Sequence, residues 1–397
     1  MPEISKRGRG LPSSPIRRLA PLAAAARNRG ISVYGLNIGQ PDLPTPEPFW
    51  DAVQSHPRGT LDYSPSPGRD SLRIKWAKDY ARYGAALTPE NVIVANGGSE
   101  AIAFALMATT DPGDEIIVAE PMYANYITYA QMAQVRVVPL PCRVEDGYAL
   151  PSDDALRAAV SERTRAIFVC NPSNPTGKLL RPDEWDRIAA LAHEKDLFVV
   201  SDEAYRDFRY DGSRPETALA RPDLKNRVVV VDTVSKRWSA CGARVGALIS
   251  ENDEVLGVAM RCAQARLSPP SLGQIGSEVL FDLPETYYDG VRREYKARRD
   301  FLHSALASTP CVVCPKPDGA FYLMPRLPVE NAEDFCRFML EKFSYNGATV
   351  MMAPGAGFYA THGTGLNTVR LAYVLEVAAL ERALECLQRG LAAYSGL

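Results

Sequence analysis

A lysine stands where a buried strand should turn. In VDTVSKRWSACGARVG, residues 231–246, aliphatic residues give way to Thr233, Ser235 and Lys236. An amine there could form a Schiff base with a carbonyl compound, or it could be a solvated loop lysine like most others. Four further stretches present polar residues in the same way, each just after an aliphatic run. Gly97, Gly98 and Ser99 follow NVIVA (91–95), Tyr123 follows DEIIVAE (114–120), and Asn174 follows RAIFVC (165–170). Asp202 closes LFVVSD (197–202), with Tyr205 three residues on. Singly, each has an ordinary explanation. Gly-Gly-Ser is a turn with an N-cap, NPSNPTG (171–177) is turn chemistry, Asp202 is a helix cap, and Arg244 is a surface charge.

Jointly, these residues meet the needs of one cofactor, pyridoxal phosphate. Its phosphate calls for backbone amides at a helix start, small hydroxyls and an arginine fork, which Gly97, Gly98, Ser99, Thr233, Ser235 and Arg244 can supply. Its pyridine nitrogen calls for a carboxylate to keep it protonated, and Asp202 is the candidate. Its phenolic oxygen calls for donors, which Asn174 and Tyr205 can be. Its aldehyde calls for an amine, and Lys236 is the candidate.

The elements that must position these residues alternate between strand-like and helix-like. NVIVA is followed by the helical pattern NGGSEAIAFALMA, DEIIVAE by PMYANYITYAQMA, and RAIFVC by a turn-rich loop and PDEWDRIAALAHEKD; LFVVSD and RVVVVD (227–232) come next. Such alternation predicts a mainly parallel sheet covered by helices on both faces. Ligands of these sheets bind beyond the carboxyl ends of the strands, where the polar residues lie. With 397 residues, 46% of them hydrophobic, the chain is long enough for two domains. A net charge of -2 and the lack of a long apolar window point to small metabolites as partners, with no nucleic acid and no membrane. Eight cysteines with one close pair, Cys311 and Cys314, and only four histidines read as reduced thiols in a cytoplasmic protein, with no metal site expected. The basic N-terminus reads as an exposed arm lying on the body of the protein or on a partner subunit.

The most specific element is SKxxxxxGxRxG, filled by Ser235, Lys236, Gly242, Arg244 and Gly246. With LNIGQPDLPTP (36–46), NPTG, SDEAY and VRLAY (369–373), it resembles the class I/II aminotransferases, pyridoxal-phosphate enzymes of fold type I, and is similar to aspartate aminotransferases. The resemblance implies an α/β fold with a seven-stranded, mainly parallel sheet in a large domain at 56–284. A smaller α/β domain would be built from 285–397 and part of the arm at 1–55. It further implies that Arg370 binds the substrate α-carboxylate, that Gly39 and Asn174 line the substrate pocket, and that Tyr123 stacks on the cofactor ring. Tyr63 would reach the phosphate of a neighbouring subunit, which requires a homodimer. Lys236, Asp202 and Tyr205 would be the catalytic residues. The implied activity is ping-pong transfer of an amino group between an amino acid and a 2-oxo acid, with aspartate and 2-oxoglutarate the first candidates.

Substrate choice stays open. Near Ala263 the resemblance places the position at which one subgroup of aspartate enzymes carries a cation, and alanine has none. Arg266, Arg17 or Arg18 could substitute, although each also reads as a surface or structural arginine, and aromatic or neutral donors are the alternative. The same constellation could serve a lyase, an oxidase or a cyclase, since each begins from the same carbanion. A transcriptional regulator built on this domain would need a DNA-binding module, and the roughly 35 residues before LNIGQPD carry no helix-turn-helix pattern.

Overall fold

The computed structural model describes residues 2–395. At its centre lies a seven-stranded sheet in the order 92–95, 246–250, 228–233, 198–202, 164–170, 115–120, 136–141. Adjacent strands run parallel except for Gly246–Ser250, which is antiparallel to both neighbours. Val228–Thr233 shows why the strands form here. Four consecutive valines suit a pleated surface covered on both sides, and every residue of that strand is buried. One face packs around Trp76, Ile188, Val199 and Leu280, the other around Ile93, Phe104, Phe168 and Leu248.

Helices Gly98–Thr109, Asn125–Ala133 and Pro182–Glu194 occupy the predicted helical stretches. Two strands were not visible as strands in the sequence. Arg136–Pro141 contains Pro139, which cannot donate to a ladder, and it is accommodated at the sheet edge. In the sequence Gly246–Ser250 stands at the tail of the lysine motif. Its first residue is glycine for a spatial reason, since a Cβ there would lie 2.5 Å from the Gly97 carbonyl carbon.

The remaining elements surround a second core that includes Leu302, Phe335, Met339, Leu371 and Leu387. They comprise an antiparallel sheet of Ala353–Pro354, Val369–Ala372 and Tyr322–Leu323, and a parallel pair of Ser32–Gly35 with Ala348–Met351. Helices Ala20–Asn28, Glu285–Ala307, Ala332–Glu341 and Val377–Ser395 complete this unit. Helix Glu47–Gln54 belongs elsewhere. Its Phe49 joins the large sheet's core and sits so close to Gly276 that a Cβ there would meet the ring at 2.6 Å. We therefore propose residue 46, rather than 55, as the end of the N-terminal part of the small domain.

The arm rests on the body of its own chain. Gly10 abuts the Gln131 side chain, and buried Pro15 lies against Gly357. Among the described residues no helix is long and apolar enough to cross a membrane, and all eight cysteines are free.

Candidate active site

Strand ends and the loops that follow bring the predicted residues to one edge of the sheet. Lys236 is half-buried, and its Nζ donates to the Gly39 carbonyl at 2.9 Å and lies 5.9 Å from the centre of the Tyr205 ring. Gly39 must be small, because a Cβ would fall 1.7 Å from the Tyr322 hydroxyl. That hydroxyl is engaged with the Tyr205 hydroxyl at 2.7 Å, so a phenol of the large domain is coupled to one of the small domain.

Asp202 is buried at the end of strand 198–202. Its Oδ2 accepts from the Tyr126 hydroxyl at 2.7 Å, and its Oδ1 accepts from the Ala204 N–H at 3.1 Å. Burial pushes the carboxyl above its ordinary range, and these two hydrogen bonds only partly oppose that. Among the described residues no cation forms an ion pair with it. Tyr123 packs edge-on against Tyr126, their ring centres 5.4 Å apart.

The helix Gly98–Thr109 begins at Gly97, whose φ of 78° suits glycine alone among common residues. The first N–H groups of a helix, here those of Gly98 and Ser99, lack intrahelical acceptors and favour an anion. Arg244 lies directly over this end: a Cβ on Gly97 would come 2.3 Å from its Nη2. Its guanidinium donates to the Cys241 and Asn96 carbonyls, each at 3.1 Å, and has no carboxylate partner among the described residues. Ser235 and Thr233 share a hydroxyl–hydroxyl bond of 2.7 Å, and Thr233 also donates to the Val245 carbonyl at 3.0 Å. With the Thr233 proton on the Val245 carbonyl, Ser235 is the donor of the hydroxyl–hydroxyl bond, and both side chains are tied into the turn.

Arg370 is 1% exposed, on the strand next to Tyr322. Its Nη1 donates to Asn174 Oδ1 at 3.0 Å, Nη2 donates to the Asn37 carbonyl, and Nε has no partner. The guanidinium is sandwiched by the rings of Tyr322 at 4.5 Å and Phe358 at 4.9 Å. It pairs with no carboxylate among the described residues, and burial pulls its pKa below the ordinary value. A buried charge without a counter-charge is costly, so this one is prepared for an incoming anion.

These features fit pyridoxal phosphate and an amino acid. An uncompensated guanidinium over free amides suits the phosphate, a buried carboxylate without a cation suits the ring N–H, and a second uncompensated guanidinium suits an α-carboxylate. The other candidate cations differ. Arg266 pairs with Glu100 at 2.9 Å and donates to the Ser66 and Val94 carbonyls. Arg18 pairs with Glu333, Arg17 is exposed, and Ala263 is fully buried in the core. Tyr63 is 80% exposed, outside the cluster of its own chain.

Sequence reasoning missed three participants. Tyr126 had a signal, since it lies three residues after Tyr123 and so on the same side of a helix start. Asn37 lies inside LNIGQPDLPTP, but nothing in the sequence pairs it or Tyr322 with the strand ends, because only the packing of the small domain brings them there.

Comparisons with known proteins identify the family and the fold. The aminotransferase class I and II family model matches residues 31–387. An aspartate aminotransferase of Geobacillus stearothermophilus is 29% identical over 393 residues, 98% of each chain. An aspartate/prephenate aminotransferase of Thermus thermophilus is 30% identical over 388 residues, covering 96% of this chain and 97% of its own. The solved alanine aminotransferase of Pyrococcus furiosus superposes with a TM-score of 0.90 at 29% identity, covering 98% of this chain and 100% of its own. With a family match spanning nearly the whole chain and a fold shared with solved aminotransferases, the chain belongs to the aminotransferase class I and II family and is a pyridoxal-phosphate-dependent aminotransferase of fold type I.

Proposed function

We propose that this site moves an amino group between an L-amino acid and a 2-oxo acid in two half-reactions with ping-pong kinetics. The observation that carries the reading is Arg370, a buried guanidinium with no carboxylate of its own, held by Asn174 beside the Lys236 cluster. Bound pyridoxal phosphate supplies the electron-withdrawing ring and carries the amino group between the half-reactions. Arg370 grips the substrate α-carboxylate through parallel hydrogen bonds and so orients the α-carbon. Lys236 Nζ would take up the substrate α-proton beside the bound group and hold it for return. Asp202 keeps a proton on the ring nitrogen, with Tyr126 orienting the carboxylate. Tyr205 and Asn174 would donate to the phenolic oxygen, Tyr123 would cover the ring, and Gly97, Gly98, Ser99, Thr233, Ser235 and Arg244 would hold the phosphate.

For the donor, aspartate with 2-oxoglutarate as acceptor is supported by the names of several relatives. A neutral or aromatic donor is the second reading, favoured by the pairing of Arg266 with Glu100 and of Arg18 with Glu333, which leaves neither cation free for a side-chain carboxylate. We further propose a homodimer in which Tyr63 reaches the neighbour's phosphate, supported by its exposure in one chain, and a cytoplasmic location, supported by the free thiols.

The test begins with the cofactor. Purified protein is expected to be yellow, and borohydride should fix the cofactor onto Lys236; a reduced adduct mapped to another lysine would defeat the assignment. A screen of amino donors with 2-oxoglutarate then separates the classes. Stoichiometric glutamate formation supports transfer, whereas ammonia released without an acceptor would make the protein a lyase or oxidase.

A further inference from the structure

The residues that follow the two central catalytic candidates enter a common charged lattice behind the site. Glu203 follows Asp202, Arg237 follows Lys236, and both are buried. Arg237 Nη2 bonds Asp232 at 2.7 Å, and its Nη1 bonds Asp79 at 2.9 Å and Asp207 at 3.4 Å. Arg206 closes the lattice, reaching Asp79 at 3.2 Å, Asp232 at 3.5 Å and Glu203 at 3.3 Å. Every member is less than 9% exposed. Helix Asp70–Ala81, through Asp79, is thereby tied to two strand ends and to the turn that carries the lysine.

Around the lysine the turn is held by Val234 N–H on the Val245 carbonyl at 3.2 Å, by Cys241 Sγ on the Ser235 carbonyl at 3.1 Å and by the Thr45 hydroxyl on the Ser239 carbonyl at 2.8 Å, none of which reaches the carboxylate lattice. The Lys236 carbonyl accepts one long bond, from the Ser239 N–H at 3.3 Å, and Ser239 itself has a φ of 51°. The Arg237 side chain reaches into the lattice instead, its guanidinium stacked 4.4 Å from Trp238, while its carbonyl accepts from the Tyr287 hydroxyl at 3.1 Å. A forked guanidinium held on three carboxylates fixes direction as well as distance, which a point-like ammonium cannot do.

We propose that Arg237 is a positioning residue for Lys236: anchored on Asp79, Asp207 and Asp232, it fixes the backbone from which the Lys236 amine reaches toward the Asp202 side of the site. The anchor acts on placement of the amine and leaves the Arg370 carboxylate grip untouched. Losing it should therefore lower turnover and change the environment of the lysine-bound cofactor, with little effect on donor affinity.

The holoenzyme carries the test, with Arg237→Lys, which keeps the charge and removes the fork. Expected are a folded protein with full cofactor occupancy, kcat lower by about tenfold or more, and donor KM within about twofold of the parent. The pH midpoint at which the bound cofactor's absorption changes should move by about half a unit or more. A variant altered only in melting temperature, with parental kcat and parental midpoint, overturns the proposal. Asp207→Asn removes the longest of the three contacts and should shift both readouts the same way but less. If Arg237→Lys does not fold, unchanged kcat and midpoint in Asp207→Asn overturn the proposal equally, and shifted ones support it. The inference rests on Lys236 being the cofactor-bearing amine, which borohydride mapping of the parent reads separately. An adduct elsewhere defeats that reading, whereas an adduct on Lys236 with an unaffected Arg237→Lys defeats only this one.

Discussion

Replacing Asp202 by Asn keeps the shape of the side chain and removes its charge, and the structure predicts opposite consequences for the loaded and the empty protein. The hydrogen bonds can survive. The asparagine carbonyl can accept from the Ala204 N–H, which now meets Oδ1 at 3.1 Å, and the Tyr126 hydroxyl can rotate to accept from the new amide. What is lost is a buried anion aimed at a position where positive charge must be kept. Pre-set electrostatic support of that kind is worth roughly 3–4 kcal/mol, and each 1.36 kcal/mol is about tenfold, so the half-reaction should slow by about a hundredfold to a thousandfold. Single-turnover absorbance of the bound cofactor on mixing with an amino acid measures this apart from product release. In the empty protein the sign reverses. Burial raises the Asp202 pKa, so the folded state holds its proton more tightly than the unfolded chain does. Wild-type stability is therefore lost as pH rises from the unfolded value through the folded one. Asn carries no such cost, so the empty variant should melt at or above the parental temperature at pH 7 and gain less from added pyridoxal phosphate. Near-parental turnover would refute the reasoning and reduce Asp202 to a cap for Ala204. A large loss of stability in the empty variant would refute the electrostatic half.

The remaining predictions concern Arg370, Arg266 and Glu203. Arg370→Lys and Arg370→Ala should both lower kcat/KM for every amino acid tested, by about a hundredfold, because a point donor cannot replace two parallel charge-assisted bonds; cofactor absorption before substrate is added should stay nearly parental. Arg266→Ala should cost stability through its pairing with Glu100, and an Arg370 variant defective only toward aspartate would reverse the assignment of the pocket. Glu203 is raised to about 7, by burial foremost and by Asp232, against the pull of Arg206 and the Ala218 N–H. Its folded pKa lies above its unfolded one, so wild-type stability falls as pH climbs through the window from the ordinary value of 4.5 to about 7. The melting temperature of Glu203→Gln relative to the parent should therefore rise between pH 5 and pH 8, as differential scanning calorimetry can measure, and a flat or falling difference would show that Glu203 is fully ionised in the folded state.

The large sheet and the residues at its strand ends were legible because their signals are local. Val228–Thr233 announces itself by composition, and Lys236, Asp202 and Asn174 each follow such a run, so an ordinary rule about parallel sheets brings them together. Arg136–Pro141 was not legible, because its prolines argue against a strand until it is known to be an edge. Tyr322 and Asn37 were out of reach for a different reason. Tyr322 lies 117 residues from its partner Tyr205, and Asn37 lies 333 residues from its partner Arg370; no periodicity encodes pairings of that separation. Arg237 was hidden by its neighbour. Within SKRWSACGARVG it reads as one more charged loop residue, and only burial among three carboxylates gives it another role.

Arginines show most directly what the fold adds to the sequence, since residue type alone cannot separate a structural cation from a binding one. Arg266 and Arg237 are neutralised within the chain, the first by Glu100 and the second by Asp79, Asp207 and Asp232. Arg370 and Arg244 satisfy only neutral carbonyl and amide oxygens, so their charge is left uncompensated. For Arg244, partly open to water, that costs little; for Arg370, 1% exposed, solvent cannot meet the cost. Glu100 is held on Arg266, whereas among the described residues no carboxylate reaches Arg370, so a bound anion would relieve the cost of burying that guanidinium. The same logic, with sign reversed, applies to Asp202. Two buried ionisable groups of opposite sign, each lacking an ion-pair partner among the described residues, suit a bound pair of groups with the complementary order of charge. A cationic ring nitrogen at one end and a carboxylate at the other, with the reacting carbon between them, is that order.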